Sequence, residues 1–119
     1  MSRFLIVEDE MLVVMLLEEM LAELGHDVVA TKHRIDQAKE TAETIEVDAA
    51  ILDLNLAGES TFPVAEILQR RGIPFIFSTG YGRAGLEDRF SEMPVITKPF
   101  TKDDLNAAIT KLPRAGSPS

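Results

Sequence analysis

The chain of 119 residues is 45% apolar, carries a formal net charge of −8 and contains no cysteine. That length and apolar content suit one domain with a sizeable core, the acidic balance argues against non-specific nucleic-acid binding, and the missing thiols exclude disulfides, thiolate metal sites and cysteine nucleophiles. The opening Met1-Ser2-Arg3-Phe4 lacks the form of a secretory signal and no apolar run approaches the roughly 18 residues of a membrane span, so a cytoplasmic chain without a membrane partner is expected.

The first apolar run predicts a strand over 3–7 that ends at Glu8-Asp9. A helix follows over 10–24, with Gly25 placed where a helix end needs a residue tolerant of positive φ. Met11-Leu12-Val13-Val14-Met15-Leu16-Leu17, then Met20, Leu21 and Leu24, make this helix apolar over much of its circumference. One face suits packing on a sheet, and the rest suits a partner's helices or a second copy in a homodimer. A strand over 27–31, a helix over 34–45 and a strand over 48–53 closing on Asp53 come next. Leu56-Ala57-Gly58 reads as a flexible loop before a helix over 61–71, where Arg70-Arg71 complement the C-terminal dipole and Gly72 ends the element. A strand over 73–78 closes on Thr79, and the Gly85-containing stretch 83–91 has so little periodicity that its helix should be short or loose. The last strand, 94–97, precedes Lys98-Pro99, and a helix over 101–112 opens with a capping-box pattern at Thr101 and Asp104. Residues 1–112 thus form one domain, and 113–119 read as a flexible tail.

Five short apolar runs alternating with five helical stretches predict an α/β fold, a doubly wound, five-stranded parallel sheet with helices on both faces. In such a sheet the carboxyl ends of the strands converge on one crevice. Glu8, Asp9, Asp53, Thr79 and Lys98 all stand at those ends, whereas His26 and His33 lie elsewhere and read as surface polar residues. A lone acid at a strand end is ordinarily a solvated charge, but three acids with a hydroxyl and an ammonium at ordered positions reverse that reading. The carboxylates repel one another unless a cation lies among them, and oxygen-only ligands favour Mg²⁺, with Mn²⁺ as the alternative. Held against a cation and a lysine, Asp53 has the makings of a nucleophile toward phosphorus, with Thr79 and Lys98 binding the phosphoryl oxygens.

Four strings carry a resemblance: Val7-Glu8-Asp9-Glu10, Ile51-Leu52-Asp53-Leu54-Asn55-Leu56, Ser78-Thr79-Gly80 and Thr97-Lys98-Pro99-Phe100. In this order and spacing the chain resembles the response-regulator receiver domains of two-component signalling over residues 1–112. The resemblance implies a flavodoxin-like strand order 2-1-3-4-5 and a cis Lys98–Pro99 bond. It implies Asp53 as acceptor of a phosphoryl group from a histidine kinase or a histidine phosphotransfer protein. Asp9 and Asp53 would ligate magnesium directly, Glu8 through water, and Asn55 through its backbone carbonyl. Residues 74–82, Pro-Phe-Ile-Phe-Ser-Thr-Gly-Tyr-Gly, are also similar to the signature of the receiver subclass called FATGUY, with Ser78 where alanine is usual. That subclass implies HWE-type histidine kinases of alphaproteobacteria and stress-response circuits.

Val95 occupies the position, three before the lysine, where receivers usually carry a switching aromatic ring, so that switch cannot operate unchanged. Tyr81 or a phenylalanine is the candidate substitute, and the usual fourth-helix output surface is in question. The reading is a stand-alone receiver without a DNA-binding or enzymatic output module, altering its own phosphorylation state rather than turning over a substrate. Its alternatives are a receiver cut from a hybrid kinase or regulator, a phosphate-independent binding module, and a small magnesium-dependent phosphohydrolase. The intact Asp53, Thr79 and Lys98 speak against the second, and Asn55, where the third wants another catalytic aspartate, against the third.

Overall fold

A computed structural model describes residues 2–112, so the tail expected at 113–119 lies outside the described residues. The strands β1 (Arg3–Val7), β2 (Asp27–Lys32), β3 (Ala49–Asp53), β6 (Phe75–Thr79) and β7 (Val95–Thr97) form one parallel sheet in the order β2-β1-β3-β6-β7. A two-stranded hairpin, β4 (Asn55–Leu56) and β5 (Glu59–Ser60), stands outside it. Counting only the main strands, this is the expected 2-1-3-4-5 order.

Side chains alternate across the sheet with a period of two, so each apolar run serves two cores. Leu5, Val7, Ala50, Leu52, Phe75 and Phe77 face the helices α2 (Ile35–Thr44) and α3 (Phe62–Arg70). Phe4, Ile6, Ile51, Ile76 and Ile96 face α1 (Met11–Glu23) and α4 (Lys102–Thr110). Along α1, Val14, Leu17 and Leu21 are buried while Met11, Leu12, Met15 and Leu16 stay exposed, so the helix packs on the sheet and also presents an apolar patch. Gly25 ends the turn after α1 at φ +86, and the Thr101–Asp104 capping box forms in both directions.

Three local expectations need correction. The segment after Asp53 is an ordered hairpin rather than a flexible loop. Ala57 (φ 52) and Gly58 (φ 87) both adopt the left-handed conformation that a two-residue turn of matching twist requires. Asn55 Oδ1 accepts the Gly58 N–H at 2.9 Å, and buried Leu56 anchors the hairpin to the core. As expected of a short or loose helix, the stretch 83–91 keeps only one 3₁₀ turn, Asp88–Phe90, because Gly85 sits in the left-handed region at φ +85 and the segment's only deep anchor is Phe90. Arg89 ties this turn to Glu66 on α3 and to Glu87, while Arg83 donates to the carbonyls of Ser91 at 2.6 Å and Met93 at 3.1 Å. Arg71 serves a neighbouring helix, not the dipole of its own. Its guanidinium donates to Ala42 O at 2.7 Å and Ile45 O at 2.9 Å, satisfying carbonyls at the end of α2. His26 is half-buried rather than superficial, with its ring 5.4 Å edge-on from Phe4 and Nδ1 accepting the Ser2 N–H at 3.1 Å.

Candidate functional site

The register that aligns Val7 with Leu52 and Asp53 with Ser78 also brings the polar ends of β1, β3 and β6 to one edge of the sheet. Glu8 is 1% and Asp53 6% exposed, too deep for either carboxylate to rely on bulk water. Glu8 Oε2 accepts the N–H groups of Asp9 and Glu10, each at 3.1 Å, and Asp53 Oδ1 accepts the Asn55 N–H at 3.2 Å. Lys98 supplies the countercharge: its Nζ lies 3.0 Å from Glu8 Oε1, 3.4 Å from Asp53 Oδ2 and 3.9 Å from Glu10 Oε1. Lys98 reaches this point because β7 ends beside β6, where the Lys98 N–H donates to Thr79 O at 2.7 Å. The Lys98–Pro99 bond just beyond is cis.

Negative charge is in excess here. Burial pushes the Glu8 carboxyl above its ordinary value; the Glu10 N–H and Lys98 pull it back only in part, and Asp53 pushes it further up. For Lys98, burial acts to lower the ammonium's pKa, but Glu8, Asp53 and Glu10 outweigh it and hold the group above its usual range. Carboxylate oxygens of Glu8, Asp9 and Asp53 lie within 4.8 Å of one another. Glu8 Oε1 has no hydrogen bond beyond its ion-pair contact with Lys98. Hard oxygen donors, excess negative charge and a buried carboxylate oxygen with no hydrogen bond beyond its Lys98 contact fit a divalent cation of the magnesium type.

Asp53, Asn55, Thr79, Tyr81, Lys98 and Glu10 line one open cleft of about 700 Å³. Thr79 is buried, and its Oγ1 accepts the Tyr81 N–H at 3.0 Å, so the hydroxyl is engaged with its own turn. The Tyr81 side chain is 84% exposed at the rim. Val95 does not join the cluster; it packs against the core under α2 and α3. An aromatic group nonetheless borders the cleft: Phe62 lines it, stacks on Phe90 at 5.3 Å and meets Phe77 edge-on at 5.9 Å. Sequence reasoning assigned Glu10 no role, although it stands inside the first carried string. His33, placed outside the crevice, reaches its back, with Nδ1 3.1 Å from the Glu8 backbone oxygen. Among the described residues no helix is long and apolar enough to cross a membrane.

A 2-1-3-4-5 parallel sheet carrying this acid–lysine–threonine edge defines a receiver domain, and residues 4–110 match the family model of the response regulator receiver domain, so the chain belongs to that family of two-component signalling modules. Among curated proteins it is similar to the transcriptional regulatory protein PdtaR of Mycobacterium tuberculosis, 34% identical over 111 residues, 90% of this chain and 54% of that protein. The phyllosphere-induced regulator PhyR of Methylorubrum extorquens is 31% identical over 114 residues, 92% of this chain and 43% of that one. The chain spans about half the length of the curated relatives it matches. Among solved structures, SdrG of Sphingomonas melonis Fr1 superposes with a TM-score of 0.84 at 43% identity, covering 93% of this chain and 95% of that one. PhyR of Brucella abortus gives 0.78 at 34% identity, covering 92% and 46%.

Proposed function

We propose that this receiver accepts a phosphoryl group on Asp53 in a magnesium-dependent reaction, from the phosphohistidine of a histidine kinase or phosphotransfer protein, and signals by altered surface packing. The observation that carries this reading is the placement of Lys98 Nζ 3.4 Å from Asp53 Oδ2 within a cluster of three acids. One Asp53 oxygen attacks phosphorus, the P–N bond to the donor imidazole breaks, and that bond's electron pair leaves with the imidazole nitrogen. Lys98 meets the charge on the transferred group, while Thr79, released from Tyr81 N–H, offers its hydroxyl to a phosphoryl oxygen. Glu8, Asp9, Asp53 and the Asn55 carbonyl would hold Mg²⁺, which neutralises phosphoryl and carboxylate charge when bound. Pro99 sets the chain direction beyond Lys98, and Tyr81, at the rim, is the group placed to sense the turn of Thr79.

The partner class follows from residues 74–82. Their FATGUY-like string, together with the likeness to SdrG and to a structure described as the PhyR stress response regulator, supports an HWE-type kinase and a cytoplasmic stress-response circuit. Coverage of 95% of the SdrG chain favours a single-domain receiver. The half-length match to PdtaR and PhyR favours the second reading, a receiver module within a longer regulator.

The test is intact mass after incubation with Mg²⁺ and acetyl phosphate. The parent should gain about 80 Da, one phosphoryl group, and Asp53→Asn should not. Equal labelling of both refutes Asp53 as acceptor, and no labelling of the parent even by a phosphorylated kinase refutes the reading itself.

A further inference from the structure

Ser78 is the buried polar residue at this edge to which the phosphoryl chemistry gives no role. It is 1% exposed, and its Oγ has no hydrogen-bond partner. Among the described residues one other buried side-chain atom lacks a hydrogen bond, Glu8 Oε1 at the same end of the sheet, but Lys98 Nζ lies 3.0 Å from it, whereas Ser78 Oγ has no such partner. A buried hydroxyl without a partner costs free energy that alanine would avoid. The cost makes sense if the hydroxyl is used in another state of the site.

Register identifies what it would serve. Ser78 pairs with Asp53 on one side and with Ile96 on the other. Two residues earlier on their strands, Ile51 and Ile76 lie with Ile96 in the core under α1 and α4, so the alternation points Asp53 and Ser78 to that same face. Neighbouring strands run about 4.8 Å apart, which puts the Asp53 carboxylate within one side-chain rotation of Ser78 Oγ. Ile96 offers no acceptor. The carboxylate has about four lone-pair positions, and the Asn55 N–H and Lys98 occupy two of them.

Resting on Asp53 as the phosphoryl acceptor, we propose that the Ser78 hydroxyl donates a hydrogen bond to the Asp53 carboxylate as it is released from its phosphoryl group, and so shortens the life of the phosphorylated state. In hydrolysis a water oxygen attacks phosphorus and the bond between phosphorus and the Asp53 oxygen breaks. The electron pair of that bond stays on Asp53, and the water's proton leaves with the phosphate or passes to solvent. The free carboxylate carries more negative charge than the carboxyl oxygens of the acyl phosphate, so a donor stabilises the departing group more than the starting state. Alanine at this position would give a longer-lived mark, and serine a briefer one.

The experiment phosphorylates the parent, Ser78→Ala and Ser78→Cys with acetyl phosphate and Mg²⁺, removes the donor and follows the loss of the added mass. Ser78→Ala should decay about fivefold more slowly, the effect of one neutral hydrogen bond on a rate. Ser78→Cys, close in size but a weak donor, should fall between. Magnesium affinity, read by titration, should match the parent in both variants, since no ligand is altered. Decay of Ser78→Ala at the parent rate overturns the proposal while leaving Asp53 as acceptor. Slow decay that follows side-chain volume instead of donor strength overturns it as well. A parent that takes up no phosphoryl group from any donor refutes the acceptor reading and this role together.

Discussion

Replacing Lys98 with methionine keeps the length of the side chain and removes the one cation among the buried acids. At 3.0 Å from Glu8 and 3.4 Å from Asp53, each attraction amounts to about 5 kcal/mol at an effective dielectric of about 20. The lysine side chain is 20% exposed and no longer pays desolvation once removed, so only part of that sum appears as lost stability. We expect metal-free Lys98→Met to lose about 3 kcal/mol, within the range for removing one partner of a buried pair. Glu8 and Asp53 are then left facing each other without compensation. Added Mg²⁺ should therefore stabilise the variant by at least about 1 kcal/mol more than it stabilises the parent, because cation and lysine draw on the same oxygens. Urea unfolding at pH 7, with EDTA and with saturating Mg²⁺, measures both quantities. A metal-free loss below about 1 kcal/mol, the scale of an exposed ion pair, would refute the assigned burial and charge balance. Equal magnesium increments in parent and variant would refute the shared site.

Other expectations follow from the same geometry. Because Glu8 holds its proton more tightly folded than unfolded, its contribution to metal-free stability should be fully present below about pH 4.5, the unfolded value, and be lost as pH rises through the elevated folded value. Urea midpoints across pH 4 to 8 in EDTA measure this, and a rise over that window in step with Glu8 ionisation contradicts it. Phe90→Ala empties the one deep anchor of the 3₁₀ turn and should cost about 3 to 5 kcal/mol, with amides of residues 83–93 exchanging fastest. A loss under about 1 kcal/mol would show that the turn is held by Arg83 and Arg89 instead. Gly58→Val forces a β-branched residue into φ +87 and should cost about 1 to 2 kcal/mol by thermal or urea unfolding. An unchanged midpoint would mean that the hairpin turn is not formed.

What this sequence determined by itself is whatever depends on neighbours along the chain. The apolar runs ending at Val7, Asp53, Ser78 and Thr97 marked the strands, Gly25 and Gly72 marked helix ends, and Thr101 with Asp104 marked a cap; each signal spans a few residues. The strand-end rule for parallel sheets then grouped Glu8, Asp9, Asp53, Thr79 and Lys98 before any distance was known. The hairpin was missed because Ala57 gives no turn signal of its own, and its left-handed conformation is tolerated with Gly58 beside it and Leu56 buried beneath. Tertiary structure alone decided that Arg71 closes α2, that Arg89 fastens the reduced turn to α3, and that Lys98 faces three acids at once. It also set Ser78 beside Asp53, 25 positions apart in sequence, through the register of β3 and β6. Local conformation follows from steric and hydrogen-bonding preferences within a turn or two, but which distant side chains meet depends on how whole strands align and helices pack. Those alignments minimise a free energy summed over the entire core.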